Sequence, residues 1–289
     1  MTIAQARLKY CATLRKRGVY TAPLDVDVLI CHVLGRPMEF IFGHPEFELR
    51  SGQARKLAFL ISRRSRHMPI AYLTGHKEFF GYDFKVSSDV LVPRPETEML
   101  VEEALNIISS RPSKAWRILE VGAGSGAIMV SLTRKLHEIK LPVAKYSFLA
   151  TDISASALGV ARQNALTHKV TRFIKFKKSD LLTSVAGQFN LIIANLPYVP
   201  LKEYRGSPAY QIIKWEPKIA ITDSTDGLSL FRKLIEQSRN HLKQGYILLE
   251  HGYNQGQKIS KIIKSSFPQA QVAIKKDLAG INRTIIAKV

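Results

Sequence analysis

One strand–turn–helix passage constrains this chain most. Ile118-Leu119-Glu120-Val121 runs directly into Gly122-Ala123-Gly124-Ser125-Gly126, and helical spacing follows over Ala127–Leu136. Glycines at such a turn let the backbone bend tightly and let a ligand approach the main chain. The spacing is Gly-x-Gly-x-Gly rather than the dinucleotide Gly-x-Gly-x-x-Gly, and no Lys-Ser/Thr ends it, so a phosphate-cradling loop is excluded. Glu120, two residues before the first glycine, would repel a pyrophosphate but suits a cationic sulfonium with an amino-acid tail.

Strands and helices alternate around this turn. Buried-type strands are predicted at Trp116–Val121, Tyr146–Thr151, Phe173–Lys177, Phe189–Ala194 and Tyr246–Glu250, with helices at Ala155–Leu166, Leu228–Leu242 and Ile259–Ser265. That order predicts an α/β fold, a mostly parallel sheet covered on both faces. Gln271–Ile274 and Arg283–Ala287 lie close enough for a terminal antiparallel hairpin. The N-terminal part differs. Apolar residues recur at helical spacing in Ile3–Leu14, Val26–Leu34 and Ala54–Ser65, which predicts a small helical domain over residues 1–74. A β-rich run, Phe79–Val86, centres on Gly81 and predicts a hairpin within a linker over 75–95; the α/β domain then occupies 96–289.

Two strand ends carry further chemistry. Asp152 ends the second strand, where α/β nucleotide folds place a carboxylate on the ribose hydroxyls; capping the next helix is its other reading, in competition with Ser154. The fourth strand ends in Asn195-Leu196-Pro197-Tyr198. A carboxamide NH₂ is a poor nucleophile because its lone pair is delocalised, so it must be held in line with the bond that breaks. The Asn195 side-chain oxygen can accept one of its N–H groups and the Leu196 carbonyl the other. Pro197 keeps Leu196 extended and aims that carbonyl, and Tyr198 can pack on the flat amide. No strong base is needed, since the proton can leave once the nitrogen is cationic, and carbonyl dipoles face the developing charge. An Asn-x-Pro turn is common after buried strands, so the tetrapeptide gains meaning from the glycine loop upstream.

The chain has 43 Lys and Arg against 23 Asp and Glu, a formal charge of +20. Such a charge favours a polyanionic partner, or a partner seated on one such as the ribosome or its RNA. Basic clusters occur at Arg63-Arg64-Arg66, Arg172-Lys175-Lys177-Lys178 and Lys275-Lys276, without the aromatic interleaving of RNA-binding modules. No apolar run approaches the roughly 18 residues of a membrane span. Cys11 and Cys31 have neither CxxC nor metal spacing and read as reduced thiols, and no metal site is expected. No secretory pattern opens the chain. Arg7, Lys9, Arg15, Lys16 and Arg17, all ahead of the first acid, Asp25, fit a transit segment or an ordinary amphipathic helix; a cytoplasmic monomer is the expectation.

With these residues in view, the chain resembles the HemK/PrmC family, the protein-(glutamine-N5) methyltransferases of peptide chain release factors. The similarity covers nearly the whole chain. Pro69-Ile70-Ala71-Tyr72-Leu73-Thr74-Gly75 with Glu78-Phe79 and Gly81 looks like the family's interdomain segment, and Val90–Glu98 like its entry into the catalytic domain. Trp215-Glu216-Pro217, Asp226-Gly227-Leu228 and Asp277–Gly280 with Arg283 are similar to later blocks. The resemblance implies a Rossmann-like class I sheet that uses S-adenosyl-L-methionine. It implies that Glu120, Gly122, Ala123, Gly124, Ser125, Gly126, Asp152, Asp180, Leu181 and Asn195 contact that methyl donor. It implies that Asn195–Tyr198 hold the substrate glutamine, and that the Pro93–Glu98 loop, with Arg94 and Thr97, helps form the pocket. The plain alternative for that loop is a rigid hinge in which Glu96 or Glu98 caps a helix. The helical domain would help engage a release factor through its Gly-Gly-Gln motif.

Two positions depart from the family pattern. Leu196 replaces the first proline of the usual Asn-Pro-Pro-Tyr, which keeps the carbonyl and loses one fixed φ. Asn282 stands where Asp is usual. Other readings stay open: a glutamine methyltransferase of a ribosomal protein, a methyltransferase of exocyclic amines in RNA or DNA, and a non-catalytic protein that keeps the cofactor fold.

Overall fold

Strand side chains alternate between faces, so a run apolar at every position needs cover on both sides. The computed structural model, which describes residues 1–112, 114–207, 209–223 and 225–289, supplies that cover in the larger of two units. One unit is Met1–His76 with Pro208–Trp215; the other is Lys77–Ser207 with Glu216–Val289.

The smaller unit is helical: Ile3–Arg15, Ala22–Leu34, Met38–Gly43, Ser51–Arg64 and Ile70–Thr74. Thr2 and Gln5 form a capping box at its first helix, each side chain accepting from the other's backbone N–H. Ile3, Leu14, Leu29, Ile30, Ile41 and Leu57 meet in its core. Arg64 and Asp25 pair there at 2.6 Å with both side chains under a tenth exposed. Cys11 and Cys31 are unpaired thiols. Trp215 belongs with this unit, its indole N–H donating to the Arg66 carbonyl at 3.0 Å.

The larger unit begins around a hairpin, β1 (His76–Phe79) and β2 (Tyr82–Lys85), joined by Phe80 and Gly81. Both joining residues have positive φ, 55° and 76°, the backbone of a tight turn that follows strand twist. Glu98 fixes the turn by accepting from the Phe80 N–H at 2.9 Å. The hairpin expected as a linker buries Phe79 and Phe84 in the large core, beside Leu100 and Trp116.

The main sheet contains β3 (Arg117–Val121), β4 (Ser147–Asp152), β5 (Ile174–Lys178), β6 (Leu191–Ala194), β7 (Tyr246–Glu250), β8 (Gln271–Lys276) and β9 (Asn282–Lys288) in the order β5-β4-β3-β6-β7-β9-β8. β3 to β7 are mutually parallel, and β9 runs antiparallel to both neighbours, β7 and β8. Strand order reverses between β3 and β6, the switch point where open α/β sheets bind ligands. Register explains what sits there. Glu120 pairs with Ile193 and Ile193 with Leu248, so these three share a face. Ile193 and Leu248 pack under helices Glu98–Ser109 and Ala127–Glu138, whereas Leu119, Ile192 and Ile247 face helices Ser229–Ser238 and Gly256–Ser266. Two residues past Ile193 and Leu248 stand Asn195 and Glu250. The rim of that face is thus polar at three adjacent strand ends. Among the described residues no helix is long and apolar enough to cross a membrane.

Candidate active site

A cavity of about 640 Å³ opens at this rim. Its walls include Glu120, the loop Gly122–Ser125, Asp152, Asp180, Leu181, Arg94, Thr97 and Asn195–Pro197. Five acidic residues (Asp89, Glu120, Asp152, Asp180, Asp223) are among those lining it, against three basic ones (Arg94, Lys218, Lys233). In a chain of net charge +20 that local excess of acid favours a cationic occupant.

The glycine loop is held by main-chain bonds. Gly122 and Ala123 N–H groups both donate to the Thr151 carbonyl at 2.9 Å, and Gly124 N–H donates to Asp152 Oδ2 at 2.9 Å. Gly122 and Gly126 have φ of 81° and 79°. The positive φ disfavours a side chain at both, and at Gly126 space does too, since a Cβ there would lie 3.1 Å from Ala161 Cβ; one on Gly122 would touch the Leu196 side chain at an ordinary 3.4 Å. Asn164 ties the loop to the hairpin, its Nδ2 donating to the carbonyls of Ser125 and Lys85.

Asp152 does not cap the following helix. Ser154 does, accepting from Ala157 N–H at 3.2 Å, while Asp152 Oδ1 accepts from Ser154 N–H at 2.8 Å. Each Asp152 oxygen keeps a further lone pair that can take a hydroxyl donor.

Glu120 is wholly buried, and among the described residues neither carboxylate oxygen has a partner at full hydrogen-bond geometry, although the Met129 backbone N–H is near enough to act on its charge. Burial lifts its carboxyl well above the usual range, with the Met129 N–H opposing and the Asp152 charge adding to the rise. An orphaned buried carboxylate at a cavity wall matches a ligand that brings a cation and donors, such as an aminoacyl ammonium.

Asn195 is oriented by side chains rather than by its own loop. Its Nδ2 donates to Thr97 Oγ1 at 3.0 Å, and the Thr97 hydroxyl donates to Glu250 Oε2 at 2.6 Å. Asn195 lines the cavity, and among the described residues its Oδ1 has no hydrogen-bond partner. Thr97 and Glu250 are 5% and 2% exposed, so water does not compete with this chain. Tyr198 is the one member of its tetrapeptide outside the cavity wall. Its hydroxyl donates to Glu250 Oε1 at 3.3 Å, and its carbonyl accepts from Gln255 Nε2 at 2.8 Å. Burial and the Glu250 charge push the Tyr198 phenol above its ordinary value. Burial also lifts Glu250, which its bonds from Thr97 and Tyr198 and the Arg283 charge hold down. Leu196 is buried against Gly122 and fills the space between the two loops.

Arg94 lines the cavity while paired with Glu216, whose other oxygen accepts from Val92 N–H at 3.0 Å. Burial raises the Glu216 carboxyl, and Arg94 opposes that rise. Glu250, Gln255 and Glu216 were not singled out from sequence for this site. A signal for Glu250 exists: Tyr246–Glu250 is an apolar strand ending in an acid, the pattern that marked Glu120. Among the described residues no cluster of His, Cys, Asp and Glu is arranged to hold a metal ion.

Known proteins share this organisation. A family model described as the PrmC N-terminal domain matches residues 5–75, and one described as a methyltransferase small domain matches residues 97–219. The release factor glutamine methyltransferase of Coxiella burnetii is 34% identical over 269 residues, 93% of this chain and 92% of that protein. That of Koribacter versatilis is 32% identical over 291 residues, 100% of this chain and 99% of that protein. Among solved structures, the hMettl16 catalytic domain in complex with MAT2A 3′UTR hairpin 6 covers 82% of this chain and 81% of that one, with a TM-score of 0.57 at 15% identity, a likeness of fold alone. Sequence identity above 30% along almost the full length of such relatives means that this chain belongs to the release factor glutamine methyltransferase family.

Proposed function

We propose that this enzyme transfers a methyl group from S-adenosyl-L-methionine to the side-chain amide nitrogen of the glutamine in the Gly-Gly-Gln motif of a peptide chain release factor. The observation that carries this reading is the free Asn195 Oδ1, aimed by Thr97 at the cavity rim beside the glycine loop. Bound, the sulfonium donor supplies an activated methyl group. The protein then has to hold a flat amide behind that methyl. Asn195 Oδ1 and the Leu196 carbonyl accept its two N–H groups, leaving the nitrogen directed at the methyl carbon. Transfer would form the C–N bond as the donor's C–S bond breaks and a neutral thioether leaves; the nitrogen would become cationic, and the same two oxygens would stabilise that charge before a proton leaves to water. Asp152 holds the ribose hydroxyls, Glu120 the ammonium of the aminoacyl tail, and Asp180 with Leu181 flanks the adenine. Arg94 shapes the substrate entrance through its pair with Glu216.

The basic surface supports docking on a partner that works on RNA, but two acceptors suit a primary carboxamide wherever it is presented. The substrate is therefore tested directly, by incubating the enzyme with isotopically labelled methyl donor and a release factor, a ribosomal extract, or bare RNA. Label is expected in the release factor and is lost when the motif glutamine becomes alanine. Label confined to a ribosomal protein or to RNA would replace this reading.

A further inference from the structure

We propose that Thr97 and Glu250 form a polar relay that decides which atom of the Asn195 carboxamide faces the substrate. The inference rests on the glutamine-methylation reading and adds two positioning residues to it. A threonine hydroxyl has one proton. Glu250 Oε2 lies 2.6 Å from Thr97 Oγ1; ionised, as the Tyr198 hydroxyl and the Arg283 charge favour against its burial, Glu250 can only accept, so that proton is directed to it. Toward Asn195 the hydroxyl can then offer only lone pairs, and the group 3.0 Å away must be the NH₂. The oxygen of Asn195 is thereby turned outward. Were the amide to rotate by half a turn, NH₂ would meet the NH₂ of the substrate glutamine, donor against donor. Glu250 also takes the Tyr198 hydroxyl at 3.3 Å, so one carboxylate serves both ends of the tetrapeptide.

The fold supplies this arrangement without local sequence help. Ala194 pairs with Leu249, which sets Asn195 beside Glu250 one residue further along, and Thr97 enters over them at the start of helix Glu98–Ser109.

The relay also makes the site selective. Two outward oxygens accept from a carboxamide and repel a carboxylate, so a substrate with glutamate in place of glutamine is refused. An amide free to rotate would donate to that carboxylate and lose the distinction.

The test measures methyl transfer to a release factor, with donor affinity by calorimetry, for the unaltered enzyme and for Thr97→Ser, Thr97→Val, Glu250→Met, Asn195→Ala and the Thr97→Val/Asn195→Ala pair. Thr97→Val keeps the shape and removes the hydroxyl. It is expected to lower kcat roughly 10- to 100-fold with donor affinity unchanged, and Thr97→Ser to restore most of the rate. Glu250→Met should match Thr97→Val. In the Asn195→Ala background Thr97→Val should have no further effect, because the hydroxyl acts only through Asn195. As a separate readout, inhibition by a release factor carrying Gln→Glu should strengthen about tenfold in Thr97→Val. Normal turnover in Thr97→Val, an undiminished loss in the Asn195→Ala background, or unchanged inhibition by the Glu variant overturns the relay alone. No transfer by the unaltered enzyme overturns the functional reading, and the relay with it.

Discussion

Asn195→Ala is expected to lower methyl transfer by about 100-fold or more and to leave methyl-donor affinity within about threefold. The split follows from geometry. Asn195 lines the cavity, and among the described residues only its Nδ2 is bonded, to Thr97. Alanine removes one of the two acceptors for the substrate amide, and the glycine loop and Asp152 are untouched. Their bonds to the Thr151 carbonyl and to Gly124 N–H do not involve Asn195. Single-turnover rates with labelled donor, alongside calorimetry of donor binding, give the two numbers. Turnover at the unaltered rate would remove Asn195 from the chemistry. A fall in donor affinity as large as the fall in rate would make it a cofactor-binding residue instead.

The parts of this site that the sequence discloses are those in which function and local structure use the same few residues. Gly122–Gly126 must turn between a strand and a helix, so its glycines mark a turn that lines the cavity. Asp152 and Asn195 follow apolar strands immediately, and strand parity fixes the face. The supporting groups are hidden because their bonds span the chain. Thr97 meets Asn195 across 98 residues and Glu250 across 153, and no window of sequence contains either pair. The choice between Asp152 and Ser154 as helix cap is equally invisible locally, since both types cap well. It is settled by Gly124 N–H, which takes Asp152 Oδ2. Domain membership likewise depends on tertiary partners. The hairpin looks like a linker by its turn residues, yet Phe79 and Phe84 are core residues of the larger unit. Trp215 and Glu216, adjacent in sequence, belong to different units, a division that needs tertiary partners to see.

Glu120→Gln should make the protein more stable and bind its methyl donor more weakly. Glu120 is wholly buried without a full hydrogen-bond partner among the described residues, and burial raises its carboxyl well above the usual range. A carboxyl raised in the folded state holds its proton more tightly there than in the unfolded chain. Its contribution to stability is therefore full below the unfolded value of about 4.3 and is lost as pH rises toward the folded value. At pH 7 the unaltered protein carries that burden and the glutamine variant does not. Removing that burden should raise Tm, at roughly 2–4 °C per kcal/mol for a chain of this size. The difference in Tm should shrink as pH falls to about 4, where both side chains are neutral. Binding runs the other way. A cationic ammonium favours the ionised carboxylate, so donor affinity of the unaltered enzyme should rise with pH while that of Glu120→Gln stays flat. At neutral pH the variant should bind about 10- to 100-fold more weakly. Calorimetry across pH, with melting curves on the same samples, measures both. A variant that is less stable and binds equally well would mean that Glu120 serves packing and never meets the donor.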